Sequence, residues 1–412
     1  MSILILNRSA MSYSAYHNWF ENYFNNDLYY FTAPGRRDLI PALQEQADKH
    51  YVEIREYKDY DNSDALERDV LELHKKVGIR AIVAMSEWDQ IRAGRLRELM
   101  GIRGTNEATA LAYRDKLLMK NILHKAGIKV TSYQAVSNIL ELIGFIKVVG
   151  YPVVIKPRLL AAAVGLTVLR NEKELYAFAR TGFGKTMESQ KLIIAEKLVN
   201  FRYEYHVDGI LQDGSLKLIW PSRYLGSVSS FGDESMFGAV TLAPEDPVRF
   251  KLQDLVRNCL SVLPELTDST FHAEIFETTD GQLVVNEIAA RTGGYRINDQ
   301  IKASFGVWLN REWARMMAGF SEKLVNNFLL SQLSGYVMLR PKPGRLIFIP
   351  ELCPLIGTYD YRVAALVGDK FESGKSSADH IASAVVTGDN YEQVVERLEK
   401  LHQWFYENLE LA

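Results

Sequence analysis

The chain has only two cysteines, Cys259 and Cys353, in 412 residues. They are far apart and show no CxxC spacing, which argues against a disulfide framework or a cysteine-rich zinc site and makes a reducing, cytoplasmic setting the expectation. Long apolar runs are also missing. The longest segments, such as LIGFIKVVGYPVVI, contain Lys147 and fall short of the roughly 20 residues that span a bilayer, so no membrane partner is expected. The opening MSILILNRSA has no basic stretch before its apolar run and reads as a first strand rather than a leader. Charge of one sign is scarce as well: a net charge of -3 gives no bulk attraction to nucleic acid, which is not an expected partner. No GxGxxG follows the first strand, which disfavours a dinucleotide oxidoreductase.

What the chain does contain points to a globular protein of two or three domains, with 47% hydrophobic residues, enough for substantial cores. SILIL, YYFTAP, YVEIREY and RAIVAMSE are short strand-like runs separated by amphipathic helices, the pattern of βαβ units and a mostly parallel sheet. Ligands of such sheets lie beyond the carboxyl ends of the strands. Ser86 and Glu87 therefore read either as substrate contacts or as a helix cap and its acidic first turn. One helix is predicted over 107–126, EATALAYRDKLLMKNILHKA, ending at Gly127, with a domain change close by. Strands and helices then alternate to Phe201. A strand-rich region follows, and the chain ends in a mixed segment with an amphipathic helix in NYEQVVERLEKLHQWFYENL.

The most informative stretch is FHAEIFETTDGQLVVNEIAARTGG. An Asp280-Gly281 pair favours a two-residue hairpin turn, and in that register Glu274 lies directly across from Glu287. Facing carboxylates repel, so a cation is expected between them, and magnesium suits one or two carboxylates completed by phosphate oxygens. In the same register Ala289 shares the face of Glu287, Asn286 points away, and His272 sits opposite Ala289, either as packing or as a contact to phosphate or metal-bound water. Lys156, after the run YPVVI, reads either as a point charge for phosphates or as a solvated strand-end lysine. Lys116 alone is an ordinary helix lysine. In IIAEKLVNFRYEYHVDG, where Glu196, Lys197, Glu204 and Asp208 are interleaved among apolar residues, the strand edge can offer backbone groups to a flat base and Glu204 can accept from ribose hydroxyls, or the segment is a half-exposed hairpin. Arg291, Gly293, Gly294 and Arg296 form a basic, glycine-rich turn suited to an anion.

Taken in order, Lys116 in YRDKLLMKNIL, Lys156 in GYPVVIKP, AEKLV, YEYHVD and HAEIFETTDGQLVVNEIAARTGG resemble the ATP-grasp superfamily over most of the chain. The resemblance implies an α/β and α+β protein with three parts: a Rossmann-like, pre-ATP-grasp α/β domain over 1–112, an ATP-grasp domain over 113–335 with a small lobe at about 128–198, and a small C-terminal α+β subdomain over 336–412. It implies ATP and Mg2+ as cofactors, with Mn2+ an alternative. Lys116 and Lys156 would hold phosphates, and the backbone from Glu196 to Val199 would meet adenine. Glu204 would contact ribose, Glu274 and Glu287 the metal, and Arg291 the transferred phosphoryl group and acyl phosphate. Glu87, Arg296 and the loop Gly226–Gly238 are candidates for substrate selection. Two positions depart from the family: Ala289 replaces an asparagine metal ligand, and Ala163 replaces a serine in the loop RLLAAAVG. Ala289 with the following Arg and Gly-Gly resembles the branch that joins L-amino acids into dipeptides. The implied activity is ligation of an amino-acid carboxylate to an amine through an acyl phosphate. A carrier-protein thiol is the alternative acceptor, which would make an acyl carrier protein a partner, and an ATP-binding regulator without turnover is a reading from another class. A homodimer is the assembly to look for.

Overall fold

The computed structural model describes residues 2–11, 13–21, 27–36, 44–45, 48–161, 164–187, 192–226, 236–320, 322–326, 328–372 and 379–412. Its first sheet is parallel, in the order β3-β2-β1-β4, from β1 (Ser2–Asn7), β2 (Asp27–Thr32), β3 (Tyr51–Glu56) and β4 (Ile79–Ala84). All six residues of β1 are buried, which is why its sequence is apolar without alternation: both faces of a parallel sheet are covered. The helix Ala65–Val77 buries Leu66, Val70 and Leu73 at helical spacing and ends on Gly78, whose φ of 64° is the left-handed cap that glycine adopts most easily. Strands β1 and β4 both end at the same edge, so Asn7 and the segment Met85–Trp88 after β4 open onto a common cavity.

At that edge Asp89 is 1% exposed, with Arg92 4.0 Å away. Burial is the largest influence on its carboxyl and pushes it up to about 7, against the lowering charges of Arg8 and Arg92. Because the folded group binds its proton more tightly than the unfolded one, stability falls as pH rises from about 4 to 7 and stays lower above that. Asp89→Asn is therefore expected to raise the thermal midpoint at pH 8 and to leave it nearly unchanged at pH 4. The gain is at most on the order of 4 kcal/mol. Equal midpoint shifts at both pH values, read by calorimetry, would show that Asp89 does not titrate in this way.

A second, antiparallel sheet runs β5-β8-β6-β7, from β5 (Tyr133–Val136), β6 (Val153–Pro157), β7 (Thr167–Leu169) and β8 (Ile193–Lys197). The large sheet contains β9 (Phe201–Gln212), β10 (Ser215–Leu225), β11 (Phe237–Thr241), β12 (Ser269–Thr278) and β13 (Leu283–Ala289). β14 (Leu333–Leu339), β16 (Thr358–Val363) and β18 (Ala382–Gly388) extend it to eight strands in the order β13-β12-β9-β10-β11-β14-β18-β16. β15 (Gly344–Phe348), β17 (Lys370–Phe371) and β19 (Glu410–Leu411) form a small separate sheet. Strands from the expected C-terminal subdomain are thus hydrogen-bonded into the central sheet, where Val394, Leu398, Leu401 and Phe405 of the last helix pack.

The single helix predicted over 107–126 is two, Glu107–Ala112 and Lys116–Lys125. Asp115 causes the break. Its carboxylate accepts from the backbone N-H groups of Leu117 and Leu118, capping the second helix, and is itself held by Arg158 at 2.8 Å. Lys116 thereby becomes the first residue of a helix rather than a mid-helix surface lysine.

Candidate active site

The acidic hairpin carries two departures from the expected register, and they cancel. Thr278 and Gln282 pair around a three-residue loop, with Gly281 at φ 78°, in place of a two-residue turn. This displaces the pairing by one, so that Ile275 faces Val285. A bulge at Asn286 then restores it, and Glu274 faces Glu287, Ala273 faces Ile288 and His272 faces Ala289 as predicted. The correction concerns Asn286. As the extra residue of a bulge it does not follow strand alternation. Its amide donates to Glu274 Oε2 at 3.0 Å and accepts from Lys156 Nζ at 3.4 Å, so it belongs to the site and does not point away. The bulge is held from outside by Val285 N-H on the Lys129 carbonyl and by Lys120 Nζ on the Asn286 carbonyl, at 2.9 and 2.7 Å.

Cations from two other elements meet these carboxylates. Lys116 Nζ lies 3.2 Å from Glu287 Oε2 and donates to the Leu160 carbonyl at 2.7 Å. Lys156 Nζ, from β6, pairs with Glu196 Oε1 at 3.0 Å. The other Glu196 oxygen accepts from Thr131 at 2.8 Å and lies 3.4 Å from Lys120 Nζ. The Glu196 side chain therefore anchors two lysines, in addition to the backbone role expected of it. Burial alone would raise its carboxyl, but the charges of Lys120 and Lys156 overcome this and hold it at about 2. Burial pulls the Lys120 ammonium down to about 8 despite Glu196.

Lys120 was not singled out from the sequence, although it follows Lys116 by four residues and so shares its helix face. Thr131 was missed too. Burial would likewise raise Glu274, and hydrogen bonding and charge from His272, with Arg291 and Lys156, bring it to about 2.

His272 is not simple packing. Its Nδ1 is 2.9 Å from Asp208 Oδ1 and its Nε2 is 3.5 Å from Glu274 Oε1. Burial works against its charge, yet Asp208 lifts it to about 9. The second Asp208 oxygen meets His206 Nδ1 at 2.5 Å, and burial keeps that imidazole below its ordinary range. Gly293 packs against this network so closely that a Cβ there would lie 2.7 Å from His272 Nδ1 and 2.9 Å from Asp208 Oδ1. Glycine is required at that position by the close approach.

Arg291 Nε donates to Glu87 Oε2 at 2.8 Å, and Arg114 pairs with the other oxygen of Glu87. Against the upward push of burial, the charges of Arg291, Arg114 and Lys116 hold the Glu87 carboxyl at about 2. Ser86 precedes the short helix Glu87–Asp89 without a side-chain cap bond, and both Ser86 and Glu87 line the cavity. Arg296 is placed differently. It is 1% exposed and its guanidinium is taken up by Asp299, Asp360 and Ser383, beneath a turn whose Tyr295 adopts φ 53°. Tyr295 and Asp299 line the cavity, and Arg296 holds Asp299 at 2.7 Å.

These groups surround one cavity of about 640 Å³ lined from the parallel sheet, the β5-β8-β6-β7 sheet and the large sheet. At one end Val154, Leu166, Val168, Leu198 and Phe201 make an apolar slot beside Lys197, Val199 and Glu204. Lys197 Nζ donates to the Tyr151 carbonyl at 2.8 Å, which fixes the strand edge of β8. In the middle lie Lys116, Lys156, Glu274, Asn286, Glu287 and Arg291, and at the other end the residues after β1 and β4. Hard carboxylate oxygens beside several cations, next to an apolar slot for a flat ring, fit a magnesium nucleotide. Glu274 and Glu287 would hold the metal, and Lys116 and Lys156 the phosphates. Ala163 and most of the loop Gly226–Gly238 lie outside the described residues.

Residues 121–300, which include Lys156, Glu196, Glu204, Glu274 and Glu287, match the ATP-grasp domain. The chain carries an ATP-grasp domain. Its architecture is the ATP-grasp fold, with the parallel sheet preceding it. A curated relative, the L-arginine-specific L-amino acid ligase of Bacillus subtilis, is 26% identical over 393 residues, which cover 93% of this chain and 92% of the relative. Among solved structures, an L-amino acid ligase from Bacillus licheniformis superposes with a TM-score of 0.79 at 14% identity, covering 100% of this chain and 98% of that one. The biotin carboxylase domain of the Hydrogenobacter thermophilus 2-oxoglutarate carboxylase, solved with MgADP, ADP and bicarbonate, superposes with a TM-score of 0.73 at 16% identity, covering 100% and 90%. No helix among the described residues is long and apolar enough to cross a membrane.

Proposed function

We propose that this ATP-grasp protein is an ATP-dependent ligase that activates the carboxylate of one amino acid as an acyl phosphate and passes the acyl group to the amine of a second, forming a dipeptide. The observation that carries this reading is that Glu274, Glu287, Lys116, Lys156 and Arg291 converge in a cavity continuous with a compartment at the carboxyl edge of the parallel sheet. Similarity along nearly the full length of an L-amino acid ligase supports it.

When bound, MgATP supplies the phosphoryl group and the divalent charge that screens it. Lys116 and Lys156 bring ammonium groups to the same space, where they offset phosphate charge. Arg291, kept charged by Glu87 against the cost of burial, offers a guanidinium to the acyl phosphate and to the oxygen that gains charge when the amine attacks. In that attack the C-N bond forms as the bond from carbonyl carbon to phosphate oxygen breaks, releasing phosphate and the amine proton.

The test is incubation with ATP, magnesium and amino acids singly and in pairs, measuring phosphate and product mass. Pair-dependent phosphate release with a dipeptide mass is expected. Release only when a carrier protein is added would transfer the assignment to thioester formation. Tight ATP binding without turnover under any condition would reject the enzyme reading.

A further inference from the structure

The end of the cavity formed by the parallel sheet differs in chemistry from the nucleotide end. Tyr13, Tyr16, Met85, Trp88, Tyr295 and Trp313 line it. Tyr13 and Trp88 are 50% and 42% exposed, with Arg362 5.9 Å from the Tyr13 ring centre, so both keep aromatic surface that a ligand would cover. Two carboxylates line this end among the described residues, each already with two arginines, and Asp360 shares Arg296 and Arg362 with the second of them. Glu87 is shared by Arg291 and Arg114. Asp299 accepts from Arg296 at 2.7 Å and Arg362 at 2.9 Å. The Trp88 ring also faces two guanidiniums, Arg8 at 5.0 Å and Arg114 at 5.8 Å.

A substrate carboxylate reacting beside Arg291 would direct its side chain past Glu87 toward Met85 and Trp88. A lysine or arginine side chain arriving there would find like charges and, among the described residues, no carboxylate lacking a cation. A side-chain carboxylate would lose hydration against aromatic walls. An uncharged apolar or aromatic side chain would bury those walls without an unpaired charge.

Resting on the ligase reading above, we infer that the amino acid whose carboxylate is activated carries a bulky uncharged side chain, and that Trp88 determines this preference. The curated relative's name gives arginine, and 26% identity leaves room for a different side-chain compartment.

The experiment offers phenylalanine, leucine, methionine, arginine, lysine and glutamate as carboxylate donors to the intact protein with MgATP and a fixed acceptor, alanine. Dipeptide order is read from fragment masses. The uncharged bulky residues are expected at the N-terminal position, with kcat/KM about tenfold or more above the charged ones. Trp88→Ala is expected to raise KM for phenylalanine about tenfold while KM for ATP moves less than about twofold, and Trp88→Phe is expected to restore most of it. Preference for arginine or lysine would overturn the inference while leaving the ligase reading intact. Phenylalanine found only at the C-terminal position, or an unchanged KM in Trp88→Ala, would overturn the assignment of this compartment to the donor. ATP binding without phosphate release for any pair would overturn the ligase reading and this inference with it.

Discussion

Glu287→Ala is expected to lower turnover by about a thousandfold or more, because it removes one of two facing carboxylates from a site where metal charge contributes several kcal/mol to phosphoryl transfer. The fold should survive. Glu287 lies at the cavity, and Lys116 retains the Leu160 carbonyl at 2.7 Å when its carboxylate partner is lost. Glu287→Gln keeps the shape and one neutral acceptor but not the charge. It is expected to fall nearly as far as Glu287→Ala if charge is what matters, and to retain substantial activity if the side chain only shapes the bulge. Steady-state phosphate release, nucleotide binding with and without magnesium, and thermal unfolding together separate these outcomes. A Glu287→Ala protein with a normal melting profile and more than about a tenth of the wild-type rate would reject the metal assignment.

The opposition of Glu274 and Glu287 was legible because strand alternation and an Asp-Gly signal are local. The way it is achieved was not. The three-residue loop depends on Gly281 in the left-handed region, and the bulge at Asn286 on Lys120 and Lys129, both more than 150 positions away in the chain. Local periodicity cannot report a constraint delivered by a helix from another part of the fold, so Asn286 was assigned to the wrong face. Lys120 was missed for the same reason: a buried lysine among Met119 and Leu123 is acceptable only once Glu196 and Thr131 are known to meet it. The break at Asp115 was readable in principle, since aspartate before a helical run is a cap signal, but the continuous apolar pattern around it favoured a single helix. The parallel sheet was apparent from its apolar runs. The joining of β14, β18 and β16 to the large sheet was not, because such pairing is set by packing between segments far apart in sequence.

Arg291→Ala is expected to reduce kcat by roughly a hundred- to a thousandfold, the range for losing a donor aimed at developing charge. The effect should fall on kcat more than on KM for ATP, because Lys116 and Lys156 remain to meet the phosphates. Glu87 keeps Arg114 after the substitution, so its buried carboxylate is not left without a cation. Arg291→Lys tests the geometry. A lysine supplies the charge without the planar fork that here donates to Glu87 through Nε at 2.8 Å and to the Thr292 carbonyl through Nη1 at 3.2 Å. It should therefore recover only part of the rate. If Arg291 acts on the reacting carbonyl, single-turnover measurements should show that transfer to the amine slows at least as much as ADP formation. An Arg291→Ala protein that forms ADP and dipeptide at near wild-type rates would mean that the guanidinium serves only to hold Glu87. Loss of ATP binding in the same variant would instead place it on the ground-state phosphates, and KM for ATP would then rise as kcat fell.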